Sequence, residues 1–158
     1  MADLKAVIVQ CGQEDYALPV ESVITIEKLE RVNPIPHLPD YMLGLMKNRG
    51  ELVPILDFQR ILYGNSAVND ENARVVILQT ENLHIGLLVL HAKEIIDIPE
   101  NKLTSSGLMA YSRTPYFTTV ANLEDRMITV VDPEILSKTL SGMDEIGEYV
   151  ASQRLQEM

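Results

Sequence analysis

Several residue types are scarce in this 158-residue chain, and each scarcity excludes a class of protein. It has no tryptophan, two phenylalanines and one cysteine, so it cannot form an internal disulfide. Its 13 basic residues are outnumbered by 23 acidic ones and never stand side by side, unlike the clustered lysines and arginines that bind phosphate backbones. So few aromatic rings cannot make a stacking platform for single-stranded nucleic acid. We therefore expect no nucleic-acid partner.

Long apolar runs and a cleavable leader are also missing. No apolar run approaches the length that spans a bilayer, so the sequence predicts no direct membrane insertion. Residues 1–9 lack the basic start of a secretory signal. We therefore expect a cytoplasmic protein. Its hydrophobic content of 46% is ordinary for one compact globular domain.

The inventory of catalytic and metal-binding motifs is equally poor. His37, His84 and His91 lack metal-ligand spacing, and there is no glycine-rich phosphate loop or nucleophile elbow. Asp57 follows an apolar strand pattern and would suit a phosphoacceptor, but Asp132 repeats the same context, which favours a helix cap for both. The sequence predicts a protein that is not an enzyme and holds no cofactor or metal. A small β-barrel enzyme or ligand-binding protein is the competing class.

Short apolar segments separated by turn residues make up most of the chain. The apolar run 42–46 leads into Lys47-Asn48-Arg49-Gly50, and the apolar run 52–56 follows at once. Asparagine and glycine tolerate positive φ, so this segment predicts a β-hairpin with Arg49 at its tip. Asp57 and Gly64 then flank a short apolar pattern, as the N-cap and C-cap of a helix do.

The chain also resembles itself. A shift of 69 residues places residues 7–26 on residues 76–95, with six of the twenty positions identical. Further on, after a six-residue insertion, residues 53–57 fall on residues 128–132. This similarity predicts two related β subdomains, at about 7–72 and 73–142. The alternative is two unrelated β segments of similar composition.

The last segment, 143–158, lies outside both repeats. Its apolar residues Met143, Ile146, Val150 and Leu155 are spaced nearly as on an amphipathic helix. Because these positions are few, we expect this helix to dock weakly and to be dispensable for the β subdomains.

The segment around Arg49 resembles the signature of the CheW family of bacterial chemotaxis coupling proteins. The residues that match in register are Gly44, Arg49, Gly50, Val53, Pro54, Ile55 and Asp57. Further segments that resemble the family are 15–23, the proline-rich connector 35–39, and the second-half strands 74–77 and 85–89. The resemblance extends over about residues 7–136.

This resemblance implies both a fold and a function. The expected fold is mostly β: two packed five-stranded SH3-like β-barrel subdomains with short helices and a C-terminal helix. Residues 1–142 would be the CheW-like domain, with strands possibly exchanged between the subdomains. The implied function is a non-enzymatic adaptor that couples the cytoplasmic tip of a chemoreceptor to the regulatory domain of a CheA-type histidine kinase. The alternative is a diverged CheW-like scaffold for another kinase pathway, such as one that controls surface motility.

The resemblance also implies a receptor-binding groove where the two barrels meet. Carried over residue by residue, the protein-binding residues are Val20, Val23, Arg49, Ile85, Gly86 and Leu87. From the sequence alone, the apolar ones fit a core equally well, and Arg49 fits a surface salt bridge. Thr25 stands where relatives often carry a glutamate that pairs with the arginine, and Lys47-Asn48 replaces the usual Asn-Leu.

Overall fold

A computed structural model describes residues 3–81, 83–108, 111 and 114–157, with backbone alone for 154–157. The strands are β1 Leu4–Cys11, β2 Glu14–Pro19, β3 Val23–Glu27, β4 Met42–Asn48, β5 Glu51–Asp57, β6 Arg74–Gln79, β7 His84–Val89, β8 His91–Ile98, β9 Leu103–Ser105, β10 Phe117–Asn122 and β11 Met127–Val131. The α-helices are α1 Phe58–Tyr63, α2 Pro133–Thr139 and α3 Met143–Glu157, and the 3-10 turns are Val20–Ser22 and Glu100–Lys102. Within these described residues, no helix combines the length and apolarity needed to cross a membrane.

The strands form two sheets. The first sheet has the order β8-β1-β2-β11-β10-β9, and the second has the order β3-β6-β7-β5-β4. Neighbouring strands are antiparallel except for the parallel pairs β2–β11 and β5–β7. Each sheet combines strands from both halves of the chain, so residues 7–72 and 73–142 do not form separate sheets. The chain passes between the sheets at the 3-10 turn Val20–Ser22 and at Leu90.

The two sheets repeat each other in register as well as in strand order. Ala17 pairs with Val130 in the first sheet, and the residues at their repeat positions, Gly86 and Ile55, pair in the second. The same correspondence holds for the bulges of β10–β11 and β4–β5. Even a backbone hydrogen bond recurs, from the N–H of Asp57 to the carbonyl of Tyr41 and from Asp132 to Tyr116, both at 2.8 Å. Similar composition alone would not produce these matched pairings.

The fold is mostly β, as predicted, but the sheets are open. Among the described residues, no strand pairing joins β3 to β4 or β8 to β9, so closed five-stranded barrels are not seen. Beside β4, the connector between β3 and β4 makes a single bridge, in which Asn33 and Leu45 exchange backbone hydrogen bonds of 2.9 and 3.0 Å. In the first sheet the corresponding place is taken by the short strand β9.

Three apolar clusters fill the molecule. One lies within the first sheet and comprises Ala6, Ile8, Ala17, Ile98, Ala121, Ile128 and Val130. Its counterpart in the second sheet comprises Met46, Val53, Ile55, Ala67, Ala73, Val75, Ile77 and Leu88. The largest cluster, the joining core, combines residues of both sheets with residues of all three helices. Burial of its aliphatic and aromatic side chains holds the two sheets together.

The predicted turns and caps are confirmed. Arg49 and Gly50 have φ values of 52° and 84°, as the tip of the β4–β5 hairpin requires. Asp57 caps α1 by accepting the N–H of Arg60, and Gly64 ends the helix with φ 84°. Asp132 caps α2 in the same way.

The C-terminal helix α3 docks more firmly than its sequence predicts. Met143, Ile146 and Val150 are at most 4% exposed and belong to the joining core. Spacings of three and four residues place them on one helix face, and that face packs on β5 and α2. The expectation of weak docking is therefore wrong. The side chain of Leu155, the fourth predicted contact, lies outside the described residues.

Candidate functional site

The β4–β5 hairpin presents Arg49 at one end of the second sheet. The residue is exposed, and its left-handed backbone fixes the direction in which its side chain leaves the turn. Within the described part of the chain, its guanidinium makes no hydrogen bond or ion pair. The salt bridge that the sequence left open as its role is therefore not formed here. Its five N–H donors are available to a partner carboxylate or carbonyl.

Val23 and the start of β7 lie at the same end of this sheet. Val23 opens β3 and pairs with Leu78, close to the turn that joins β6 to β7. At the start of β7, His84 Nδ1 lies 2.8 Å from a carboxylate oxygen of Glu51, beside the hairpin turn. Three strand spacings separate β3 from β5, a distance of about 14 Å. One partner can therefore contact Val23 and Arg49 together.

Ile85, Gly86 and Leu87 do not lie on a surface. Ile85 and Leu87 are 0% exposed and pack in the joining core. Gly86 faces the other way, where an added Cβ would come within 2.6 Å of the Ile55 side chain and 2.8 Å of Val75. The predicted groove lining is corrected at these three positions, because β7 is the central strand of its sheet and is covered on both faces.

Val20 and Val23 are half-buried, so each supports the joining core and keeps an outer edge accessible. Ile24 and Ile26 on the edge strand β3 are 37% and 39% exposed. Sequence reasoning missed both, although an alternating apolar pattern on an edge strand would have indicated them. These four residues and Arg49 form what we call the second-sheet surface.

The charge of this surface changes from one side to the other. Beside β3, Glu21, Glu81 and Glu134 surround a shallow polar depression. Lys138 lies 3.1 Å from Glu81 and 3.3 Å from Glu134, and hydrogen bonds to these carboxylates raise its pKa. At the hairpin, Arg49 and its exposed neighbour Lys47 supply positive charge. A partner that spans the surface would need the opposite arrangement of charge.

A second concave region lies at one end of the first sheet. It is a groove of about 590 Å³, lined by Asp3, Leu4, Lys5, Pro19, Val20, Glu21, Leu103, Thr119 and Val130. Most of its exposed lining is apolar. No sequence pattern indicates this groove, because its residues come from five separate segments of the chain.

The described residues offer little chemistry for catalysis. No group of three or more histidine, cysteine, aspartate or glutamate side chains among them is arranged to hold a metal ion. Burial raises the pKa of the Cys11 thiol to about 12, so the thiol stays protonated and weakly nucleophilic.

Comparisons with known proteins identify relatives of this chain in sequence and in fold. Residues 5–140 match the family model of the CheW-like domain. The chain is 27% identical to the chemotaxis protein CheW of Klebsiella aerogenes over 141 residues, which covers 87% of this chain and 84% of that protein. It is 22% identical to CheW of Bacillus subtilis over 129 residues, covering 81% and 83%. The scaffolding protein CheW of Thermoanaerobacter tengcongensis superposes with a TM-score of 0.75 at 24% identity, covering 86% of this chain and 88% of that one. The chain belongs to the CheW-like domain family.

Proposed function

We propose that this chain is a cytoplasmic, non-enzymatic adaptor that couples a chemoreceptor to a CheA-type histidine kinase. The observation that carries this proposal is the CheW-like match over residues 5–140, which includes every strand of both sheets except Leu4, the first residue of β1. Binding the receptor tip and the kinase regulatory domain together would let a change in the receptor reach the kinase.

The second-sheet surface is our proposal for the receptor contact. Val20, Val23 and Arg49 stay in it as direct contacts, with Ile24 and Ile26 added beside them. Ile85, Gly86 and Leu87 would act indirectly, by packing the central strand that positions His84 and the hairpin. Arg49 suits a directional contact because its planar guanidinium forms paired hydrogen bonds with a carboxylate.

The finer description of the fold is also a proposal. We treat residues 1–142 as the functional unit, with 7–72 and 73–142 as interlocked subdomains that exchange strands. Each sheet would form the wall of an SH3-like barrel. In the second sheet, the Asn33–Leu45 bridge would extend this wall beyond β4. Residues 143–158 would be a separate C-terminal segment, whose helix α3 docks on this unit.

Co-sedimentation tests the adaptor role most simply. Receptor tip fragments displayed on vesicles are mixed with the kinase regulatory domain, with and without this chain. The proposal expects the kinase domain to pellet only when the chain is present. Equal recovery of kinase in both samples, or loss of the chain itself from the pellet, would contradict the adaptor role.

A scaffold for another kinase pathway is the second candidate. Thr25 supports it, because this β3 residue offers no carboxylate to Arg49 where relatives often have one. The same experiment separates the two functions: a chain that binds the kinase domain but no chemoreceptor tip belongs to the second.

A further inference from the structure

The two sheets differ at one pair of corresponding ends, where a chain segment covers the second sheet. In the second sheet, residues 65–73 run from α1 to β6 and close that end. Within them, Ala67 and Ala73 are 1% and 6% exposed and pack in the inner cluster of the sheet. The Ser66 hydroxyl and the Ala67 N–H both donate to one carboxylate oxygen of Asp57. A short peptide with a serine and a small apolar residue therefore fills this end.

Among the described residues, no such segment fills the corresponding end of the first sheet. After α2 the chain enters α3, which packs on β5 and α2 instead. At the repeat positions of Ala73 and Ile55 stand Leu4 and Val130, and both line the open groove of about 590 Å³. The volume is that of an ordinary ligand site.

The anchoring carboxylate is repeated as well. Asp57 accepts three hydrogen bonds, from the N–H of Arg60, the Ser66 hydroxyl and the Ala67 N–H. Its counterpart Asp132, two residues beyond the groove residue Val130, accepts one hydrogen bond in the described structure, from Ile135 at 3.1 Å. The Asp132 oxygen that corresponds to the linker-binding oxygen of Asp57 therefore accepts no linker hydrogen bond among the described residues.

We propose that the groove at the end of the first sheet is a binding site for an extended peptide of a partner protein. The peptide would place a small apolar side chain, preceded by serine or threonine, among Leu4, Leu103 and Val130. Its hydroxyl and the following N–H would donate to Asp132, as Ser66 and Ala67 do to Asp57. A peptide is the expected occupant because a peptide fills the matching end of the other sheet.

The test uses the chain's own linker as the probe. A synthetic peptide of residues 64–73 is titrated into the isotopically labelled full chain and followed by NMR. We expect saturable shifts at the groove residues, with a dissociation constant below about 1 mM. The Ala67→Asp peptide should not bind, because its charge would be buried among apolar side chains. Shifts at the linker end of the second sheet, or none at the groove, would overturn the proposal.

Two protein variants locate the binding. Leu103→Glu places a charge in the groove and should weaken peptide binding by about tenfold or more. Met127→Glu adds the same charge at an exposed position of the same sheet, 62% exposed, and should leave binding unchanged. Should Leu103→Glu unfold, Thr119→Tyr fills the groove instead and should block the peptide.

Other occupants would give different results. Self-association of the wild-type chain that Leu103→Glu abolishes, with no peptide binding, would assign the groove to a second copy and overturn the peptide proposal. Val20 lines the groove and also belongs to the second-sheet surface, but Leu103 belongs to the groove alone. Receptor co-sedimentation by Leu103→Glu should therefore remain normal. The groove and the adaptor role can therefore fail separately.

Discussion

The two sheets share one arrangement of strands and differ in what surrounds it. Repeat-related positions pair in the same register, including Ile8 with Glu94 and Thr25 with Ile77. Around this common frame, the second sheet has its end closed by residues 65–73, whereas the first has an open groove there. The comparison teaches that strand pairing is set by the repeated sequence, while the linkers decide which surfaces are left for partners.

A second difference concerns the strand at the connector. Gly44 has φ 146°, and an added Cβ would come within 2.1 Å of the Asn33 carbonyl oxygen. Its counterpart Thr119 pairs regularly with Ser105 of β9. Glycine is therefore needed only in the second sheet, where irregular backbone approaches the strand closely.

A third difference inverts a charge. In the first sheet, Arg126 binds Asp15 at 3.2 Å and Glu94 at 2.7 Å. The residues at the repeat positions of Arg126, Asp15 and Glu94 are Glu51, His84 and Thr25. Glu51 and His84 form a pair in which the acidic residue takes the place of Arg126 and the histidine takes the place of Asp15. The first sheet thus has a four-residue network, because Lys93 also contacts Asp15 at 3.1 Å. The second sheet has an exposed pair beside Arg49, which has no ion-pair partner among the described residues.

The largest predicted effect concerns α3, which has no counterpart in the first half of the chain. Deleting residues 143–158 removes three buried side chains, each worth about 1.5–3 kcal/mol. We expect the melting temperature to fall by more than about 10 °C. The exposed helix variant Glu148→Ala is the control. A fall of less than about 4 °C would show that the sheets are stable without α3.

The helix caps come next. Asp57→Ala removes a cap and leaves the Ser66 hydroxyl and the Ala67 N–H without their acceptor, so it should cost about 3 kcal/mol of unfolding free energy. Asp132→Ala removes the cap alone and should cost about 1 kcal/mol. Urea denaturation measures both. Equal losses would mean that the linker adds nothing to the closed end of the second sheet.

The ion pairs should give a smaller difference. Arg126→Ala leaves Glu94 without its cation and removes one of the two cations that contact Asp15, which Lys93 still binds at 3.1 Å, so we expect a loss of about 1 kcal/mol. Glu51→Ala breaks a more exposed pair and should cost about 0.5 kcal/mol. Chemical denaturation of both at neutral pH makes the comparison. A greater loss for Glu51→Ala would reverse this ranking of the two networks.

Local features of the fold were predictable from the sequence, and features that depend on pairing were not. The hairpin at Arg49 and the caps at Asp57 and Asp132 follow from residue types within a few positions of each other. The burial of Ile85 and Leu87 depends on β7 being central, which requires knowing its neighbours. The apolar pattern of α3 gave its helix but not the strength of its docking.

In the candidate site, too, the local features were predictable from the sequence and the features that depend on strand pairing were not. Arg49 was predictable because a turn residue stays exposed wherever the hairpin packs. Ile24 and Ile26 were missed because their exposure results from β3 lying at a sheet edge. The groove was not predictable, since it exists only where a linker present in one repeat is missing from the other.

Titration of Arg49→Ala against a receptor tip fragment tests the central claim most directly. The unfolding free energy of the variant should lie within about 0.5 kcal/mol of the wild-type value. The reason is that the Arg49 side chain is exposed and forms no ion pair among the described residues. Its affinity should fall about thirtyfold, as a loss of about 2 kcal/mol implies. Arg31→Ala, at another exposed arginine, is the matched control and should bind normally. Wild-type affinity in Arg49→Ala would contradict the claim that the second-sheet surface binds the receptor.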